Sequence, residues 1–259
     1  DPDNVDLIDL VERAADIVKI QSAKKGLEFL LNIAPDIPTQ VRVDQLRLNQ
    51  ILVNLLSNAV KFTHKGEIEL KVTWLKLDDT NARFSFSIKD TGIGIDRNHS
   101  HKLFKAFSQA DTSTSRNYGG TGLGLVIANA LAGMMNSKIE FTSEKGKGSI
   151  FYFTVDLPCS DKVNFKEHID LSTINKVMII DDNEHNRTIL HDTLAYWGIS
   201  STLCENGVDA LKVSSESGPF DVIIVDYNMP ILNGLDTVNM LLNQRSVDTE
   251  NSPTILMLS

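Results

Sequence analysis

Apolar residues recur at helical spacing from residue 5 to 22, where Leu7, Leu10, Val11, Ala14, Ile17 and Val18 fall on one face. Gly26, after Lys25, ends that helix, and LEFLLNIAP (27–35) predicts a strand running into proline. Asp44 stands where an N-cap belongs, and the apolar pattern behind it predicts a long helix to about His64, with Gly66 beyond. EIELKVTWLKL and ARFSFSIKD alternate apolar and polar positions around DDTN, which predicts a hairpin. A short helix is expected around SHKLFKAF, then a polar stretch over 108–122, a second helix from about Leu123 to Met135, and a hairpin turned at EKGKG. Residues 158–175 have mixed charge and weak pattern, as a linker leading into a strand would. Beyond them KVMII, STLCE and DVIIVD are short β-branched runs separated by the helical stretches EHNRTILHDTLAYWG and NGVDALKVSSES. That alternation predicts right-handed crossovers and a parallel sheet. Two domains are expected, 1–158 and 174–259, joined by a linker over 159–173.

Composition narrows the class. With 259 residues, 42% hydrophobic and 23% charged, the chain is globular and long enough for two ordinary domains. A net charge of −9 argues against nucleic acid as a partner. Two cysteines, Cys159 and Cys204, lie far apart without metal spacing, so reduced thiols and a cytoplasmic location are expected. No apolar stretch reaches the length of a membrane span. The chain is expected to be a piece of a longer protein, whose anchoring to a membrane this sequence leaves open.

Three short strings carry the first candidate chemistry. In QILVNLLSNAVKFT, Gln50, Asn54, Asn58 and Lys61 share one side of the predicted helix. Asn costs roughly 0.6 kcal/mol relative to Ala inside a helix, so two in an otherwise apolar helix ask for a reason. One reading is a pair of satisfied core amides. The other gives Asn54 a carbonyl oxygen for Mg²⁺, Asn58 a phosphate contact and Lys61 a positive charge. DTGIGI ends a strand with Asp90, placed to accept a hydrogen bond from an adenine amino group, while Gly92 and Gly94 permit positive φ and close backbone approach. Ile93 and Ile95 would face the base plane, although a plain Asp-Thr-Gly turn is the simpler reading of this string alone. GGTGLGL, with Gly120, Thr121, Gly122, Leu123 and Gly124, runs into an amphipathic helix whose N-terminal N–H groups favour a phosphate. Neither the dinucleotide nor the P-loop fingerprint is met.

In this order the strings resemble the catalytic and ATP-binding domain of sensor histidine kinases, within the wider GHKL ATPases. DQLRLNQILVNLLSNAVKFT is similar to the N box, DTGIGI to the first G box, KLFKAF to the F box and GGTGLGL to the second G box. The resemblance implies a GHKL (Bergerat-type) α/β sandwich, ATP with Mg²⁺, and a lid over about Ser108–Gly120 anchored by Phe104 and Phe107, with Arg116 near the phosphates. ATPases of this superfamily that activate water usually place Glu four residues before the magnesium asparagine; Gln50 stands there, which favours phosphoryl transfer to another group. None of the six histidines lies in the family's phospho-acceptor setting, so the acceptor is expected upstream, on a dimerisation domain outside this sequence.

The second candidate chemistry is acidic. Asp181 and Asp182 follow one buried-strand pattern and Asp226 another, and parallel strand ends converge on one sheet edge. Three carboxylates there would repel unless a hard cation neutralises them, which predicts Mg²⁺; strand-end turn acids and N-caps are the plainer reading of each alone. DDNEHNR and DYNMP together resemble the receiver domain of response regulators, a flavodoxin-like (βα)5 fold. The resemblance implies that Asp226 is the phospho-acceptor, Asp181 and Asp182 the magnesium acids, Asn228 a backbone-carbonyl ligand and Ser259 the switch hydroxyl. It further implies a receiver that stops before the family's last strand, phosphate-contacting lysine and last helix.

A kinase domain followed by a receiver resembles a hybrid sensor histidine kinase. The implied reaction moves the ATP γ-phosphoryl to a histidine upstream and then to Asp226. Expected partners are that dimerisation and phospho-acceptor domain, a histidine phosphotransfer protein or response regulator, and a second copy in the full-length dimer. The rival is a catalytically silent nucleotide-sensing module whose receiver half docks a partner.

Overall fold

A computed structural model describes residues 2–96, 103–104, 123–159, 171, 173–217, 219–244 and 252–258. The chain divides into two compact units, Asp1–Val163 and Asn164–Ser259.

The first unit is built on a five-stranded mixed sheet. In chain order it comprises β1 (Asp3–Asp6), α1 (Leu7–Lys25), β2 (Glu28–Ile33), β3 (Gln40–Val43), α2 (Gln45–Phe62), β4 (Glu67–Lys76), β5 (Asn81–Asp90), α3 (Gly124–Met134), β6 (Glu140–Glu144) and β7 (Gly148–Pro158). The sheet runs β2-β4-β5-β7-β6, with β2 parallel to β4 and the other neighbours antiparallel. Strand alternation decides its faces: Ala82, Phe84, Phe86 and Ile88 of β5 are buried while the residues between them are not. They pack with Leu48, Ile51, Leu52, Leu55 and Leu56 of α2, Leu10, Val11 and Val18 of α1, and Ala128 and Ala132 of α3 in one core. Asp90 stands in the same register as Phe86 and Ile88 and so turns towards the helices, only 6% exposed.

Helix α2 begins where the pattern predicts. Asp44 caps it by accepting from Arg47 N at 3.1 Å. It ends two residues earlier than expected, just before Thr63, whose backbone is extended (φ −101°, ψ 128°) and whose hydroxyl donates to Ala59 O at 2.8 Å. Lys25 then donates to Val60 O at 2.6 Å, a positive charge set against the negative end of the helix dipole. β1 and β3 form a separate antiparallel pair, and Cys159 bridges Val41 on β3, so the residue after Pro158 is still tied to this unit.

The second unit is a parallel sheet of β8 (Lys176–Ile180), β9 (Ser200–Cys204), β10 (Val222–Asp226) and β11 (Thr254–Leu258), ordered β11-β10-β8-β9. Helices α4 (Glu184–Tyr196), α5 (Gly207–Ser217) and α6 (Gly234–Gln244) connect the strands. Each face has its own core: Met178, Ile180, Ile223 and Val225 with Ala210 and Leu241 on one, and Val177, Ile179, Val222 and Ile224 with Leu194 on the other. Burial on both faces explains why KVMII and VIIV read as unbroken apolar runs. The order is that of a flavodoxin-like sheet through its first four strands. Neither α6 nor β11 is among the elements expected from the sequence. No helix among the described residues is long and apolar enough to cross a membrane.

Candidate functional site

At the end of β5 the Asp90 carboxylate accepts Gly92 N at 2.8 Å and a second backbone bond from Ser149. Burial, opposed by these two donors, raises its pKa above the ordinary carboxylate range. The turn that follows is squeezed from two sides. A Cβ on Gly92 would fall 2.4 Å from Phe62 O, the end of α2, which also accepts Ile93 N at 3.2 Å. A Cβ on Gly94 would fall 2.0 Å from Glu144 O on β6, and Gly94 holds φ +63°, where an L side chain is strained. Gly94 thus has the positive φ that its residue type permits; at Gly92 the requirement is space. Ile93 is 40% exposed, and Ile95 packs partly buried against the core.

The C-terminal end of α2 meets this turn at Phe62, and the polar side of the helix leads up to that end. Gln50 Nε2 donates to Asn54 Oδ1 at 3.0 Å, which leaves the buried Asn54 Nδ2 without a hydrogen-bond partner. One end of the Asn54 amide is thus bonded and the other is bare. A bare buried amide terminus costs about 1–3 kcal/mol, which disfavours the reading of a satisfied core amide for Asn54. Asn58 sits where α3 starts: a Cβ on Gly124 would lie 3.9 Å from its Nδ2. Leu123, the N-cap of α3, makes no side-chain capping bond, so the first N–H groups of α3 keep their capacity for an anion. Lys61 rests its ammonium 5.0 Å from the Phe62 ring centroid. Gly92 and Ile93 thus meet α2 at its C-terminal end, while Gly124 meets it at Asn58. Arg116, Gly120, Thr121 and Gly122, and the short helix and lid expected over 100–120, lie outside the described residues apart from Leu103 and Phe104.

One part of this site carries no signal that the sequence analysis used. The tip of the β6–β7 hairpin backs residues 93–95 of the turn. Ser143 Oγ accepts Ile95 N at 2.8 Å, donates to Gly148 O at 2.9 Å and lies 3.0 Å from Ser149 Oγ, while Gly146 N donates to Ile93 O at 2.8 Å. The glycine-rich string SEKGKGS was legible only as a turn.

In the second unit, Asp181, Asp182 and Asp226 offer carboxylate oxygens that all lie within 4.8 Å of one another. Asp181, 2% exposed, is held by Asn183 N at 2.8 Å and by Asn186 Nδ2, and Arg187 Nη1 donates to its backbone oxygen at 2.6 Å. Burial raises the pKa of Asp181 first, and the neighbouring Asp182 adds to it. Asp226 is raised by burial and then by both other acids, against backbone bonds from Asn228 and Tyr227. Such a set of hard oxygen donors fits Mg²⁺ rather than a soft metal. Asn228 is exposed beside Asp226, and a Cβ on Gly234 would fall 2.3 Å from Asp226 O, so the loop after β10 returns tightly over the acid. Asn186 and Arg187 are additions to the predicted set: they belong to the quoted DDNEHNR string, yet only the first turn of α4 brings them back onto Asp181. Ser259 lies outside the described residues.

Comparison with known proteins agrees with both halves. Residues 43–159 match the histidine kinase-, DNA gyrase B- and HSP90-like ATPase family, and residues 177–259 the response regulator receiver domain. The chain is 32% identical over 271 aligned residues to the sensory/regulatory protein RpfC of Xanthomonas campestris pv. campestris, covering 93% of this chain and 37% of RpfC. It is 46% identical over 142 residues to the signal transduction histidine-protein kinase BarA of Escherichia coli, covering 55% of this chain and 16% of BarA. The autoinducer 2 sensor kinase/phosphatase LuxQ of Vibrio vulnificus is 35% identical over 220 residues, covering 82% of this chain and 26% of LuxQ. The chain therefore spans little more than a third of the length of RpfC and less of the others. A crystal structure of full-length ShkA in complex with AMPPNP shares the fold, with a TM-score of 0.70 at 24% identity over all of this chain and 49% of ShkA.

Proposed function

From a chain that carries a histidine kinase-, DNA gyrase B- and HSP90-like ATPase domain followed by a response regulator receiver domain, and is homologous to hybrid sensor kinases, we infer the catalytic and receiver portion of a phosphorelay kinase working in the cytoplasm. The observation that carries this reading is the pairing of two sites on one chain: in the first unit a buried Asp90 on β5 and a bare amide terminus at Asn54 on α2, and in the second a three-carboxylate cluster ending in Asp226.

The adenine amino group would donate to the Asp90 carboxylate, which Gly92 N and Ser149 hold in position. Asn58, Lys61 and the first N–H groups of α3, with Gly120, Thr121, Gly122, Leu123 and Gly124, would face the phosphates, and Arg116 would approach from the lid. Mg²⁺, when bound, neutralises phosphate charge; Asn54 is the side chain suited to hold it in the first site, and Asp181, Asp182 and Asp226 in the second. A histidine nitrogen outside this sequence attacks the γ-phosphorus, the bond from the β,γ-bridging oxygen to that phosphorus breaks, and ADP leaves. An Asp226 oxygen then attacks the same phosphorus as the N–P bond breaks, giving an acyl phosphate and a free imidazole. Both steps rest on positioning and charge neutralisation rather than on covalent work by other side chains. Asn228 and Ser259 complete the proposed acceptor site, by backbone carbonyl and hydroxyl respectively. The acceptor histidine domain, a second copy of the full-length protein and a downstream histidine phosphotransfer protein or response regulator are the proposed partners. The silent nucleotide-sensing module is not favoured by the relatives, which are named as sensor kinases.

Calorimetry of ATP binding tests the first site. Magnesium-dependent binding that disappears in Asp90→Ala supports this reading; no binding by the parent chain overturns it.

A further inference from the structure

We propose that Ser143 is a positioning residue for base selection, holding the 92–95 turn so that Asp90 reads an amino group on the nucleotide base. This rests on the ATP reading given above. Ser143 stands near the end of β6, and its hydroxyl has one donor and two acceptor positions. All three are in use: the hydrogen goes to Gly148 O at 2.9 Å, and the lone pairs face Ile95 N at 2.8 Å and Ser149 Oγ at 3.0 Å. The other ties between hairpin and turn are backbone contacts, Gly146 N to Ile93 O and the close approach of Gly94 to Glu144 O. Any residue supplies the carbonyl at Glu144, and at Gly146 the backbone needs only the positive φ (+82°) of glycine, whereas the bond to Ile95 N needs an acceptor on a short side chain.

The consequence is directional. Ser149 links the two ends of the device, since its backbone bonds the Asp90 carboxylate while its hydroxyl bonds Ser143. Ser143 therefore braces the far side of the turn that begins at Asp90, some distance in sequence from every residue assigned to the phosphates or the metal. Removing its hydroxyl leaves the part-buried Ile95 N–H without its acceptor and frees the second half of the turn. A base with a 6-amino group then loses the aligned carboxylate. A 6-oxo base, which presents an acceptor to Asp90, never had that bond to lose.

Direct titration of the whole chain with Mg²⁺–ATP and Mg²⁺–ITP tests this. Ser143→Ala is expected to weaken ATP about tenfold, the size of one hydrogen bond, to leave ITP almost unchanged, and to keep the same dependence on Mg²⁺. The ATP-over-ITP preference then falls by the same factor. Thr142→Ala, on the exposed side of the same strand, is expected to leave both affinities at the parent value. Equal weakening of ATP and ITP, or an unchanged ratio, overturns the proposal. If Ser143→Ala does not fold, Ser143→Cys, which keeps the volume and weakens the acceptor, is read by the same ratio. Failure of the parent chain to bind ATP refutes the underlying ATP reading instead, so the two failures are distinct.

Discussion

Replacing Asp226 by Asn should stabilise the second unit when no divalent cation is present and remove its stabilisation by Mg²⁺. The argument is electrostatic. Carboxylate oxygens of Asp181 and Asp226 lie no more than 4.8 Å apart, and two unit charges at that distance repel by about 3.5 kcal/mol at an effective dielectric of 20 and about 0.9 kcal/mol in bulk water. Asp181 is buried and Asp226 half-buried, so relief of this one pair is worth about 1–2 kcal/mol, between those limits. Asn retains an oxygen for the Asn228 and Tyr227 backbone donors, so the substitution removes charge without emptying the loop. Urea unfolding of the whole chain, followed with a probe in the second unit, gives the midpoint in EDTA and in saturating Mg²⁺. At a hundredfold excess over its dissociation constant the ion should stabilise the parent by about 2.7 kcal/mol and the variant by little. Most substitutions destabilise, so a gain in EDTA is a demanding outcome. Loss of stability in EDTA, or an equal magnesium effect in parent and variant, would refute the reasoning.

Asn54→Ala should leave stability unchanged or raise it by up to about 1 kcal/mol, because it removes a bare buried amide and a poor helix former; calorimetry should show ATP affinity reduced to its magnesium-free value. Burial raises the Asp90 pKa, so its contribution to stability is present below the unfolded-state value and is lost as pH rises through the folded-state value. In nucleotide-free protein, Asp90→Asn should therefore stabilise the first unit at neutral pH, as read by thermal unfolding, while abolishing ATP binding. For the parent, ATP affinity should decline as pH falls into the raised range of Asp90, above where an ordinary aspartate titrates. Gly94→Ala should lose about 1–2 kcal/mol from the left-handed backbone alone and more from the Glu144 contact, with weakened ATP binding in the same titration.

How far the sequence carried these conclusions differs from residue to residue. Asp90 was legible from DTGIGI, an acid and two glycines at a strand end, read together with the other strings; its burial follows from the period-two alternation of β5. The Asn54–Asn58 side of α2 was legible from helical spacing in the same way. Ser143 was not: its partner Ile95 is 48 positions away, and alternation reports a face without reporting what a hairpin tip touches. Asn186 and Arg187 stood in a quoted string, but their role depends on the first turn of α4 doubling back on Asp181. β11 was missed although TILML is a short run of the same kind as KVMII; its pairing with β10 identifies it as a strand. α6 was missed although Val238 and Leu241 fall at helical spacing and are buried with Thr237 and Gly234.

The most direct test of the phosphorelay account is transfer of label from γ-labelled ATP. The chain is mixed with Mg²⁺ and the dimerisation and phospho-acceptor domain of a homologous hybrid kinase. The account predicts label first on the supplied histidine, dependent on Asp90 and Asn54, and then on this chain, with none on the chain in Asp226→Asn. Magnesium-dependent ATP binding with no label reaching any supplied histidine domain, including that of its own full-length protein, would contradict it.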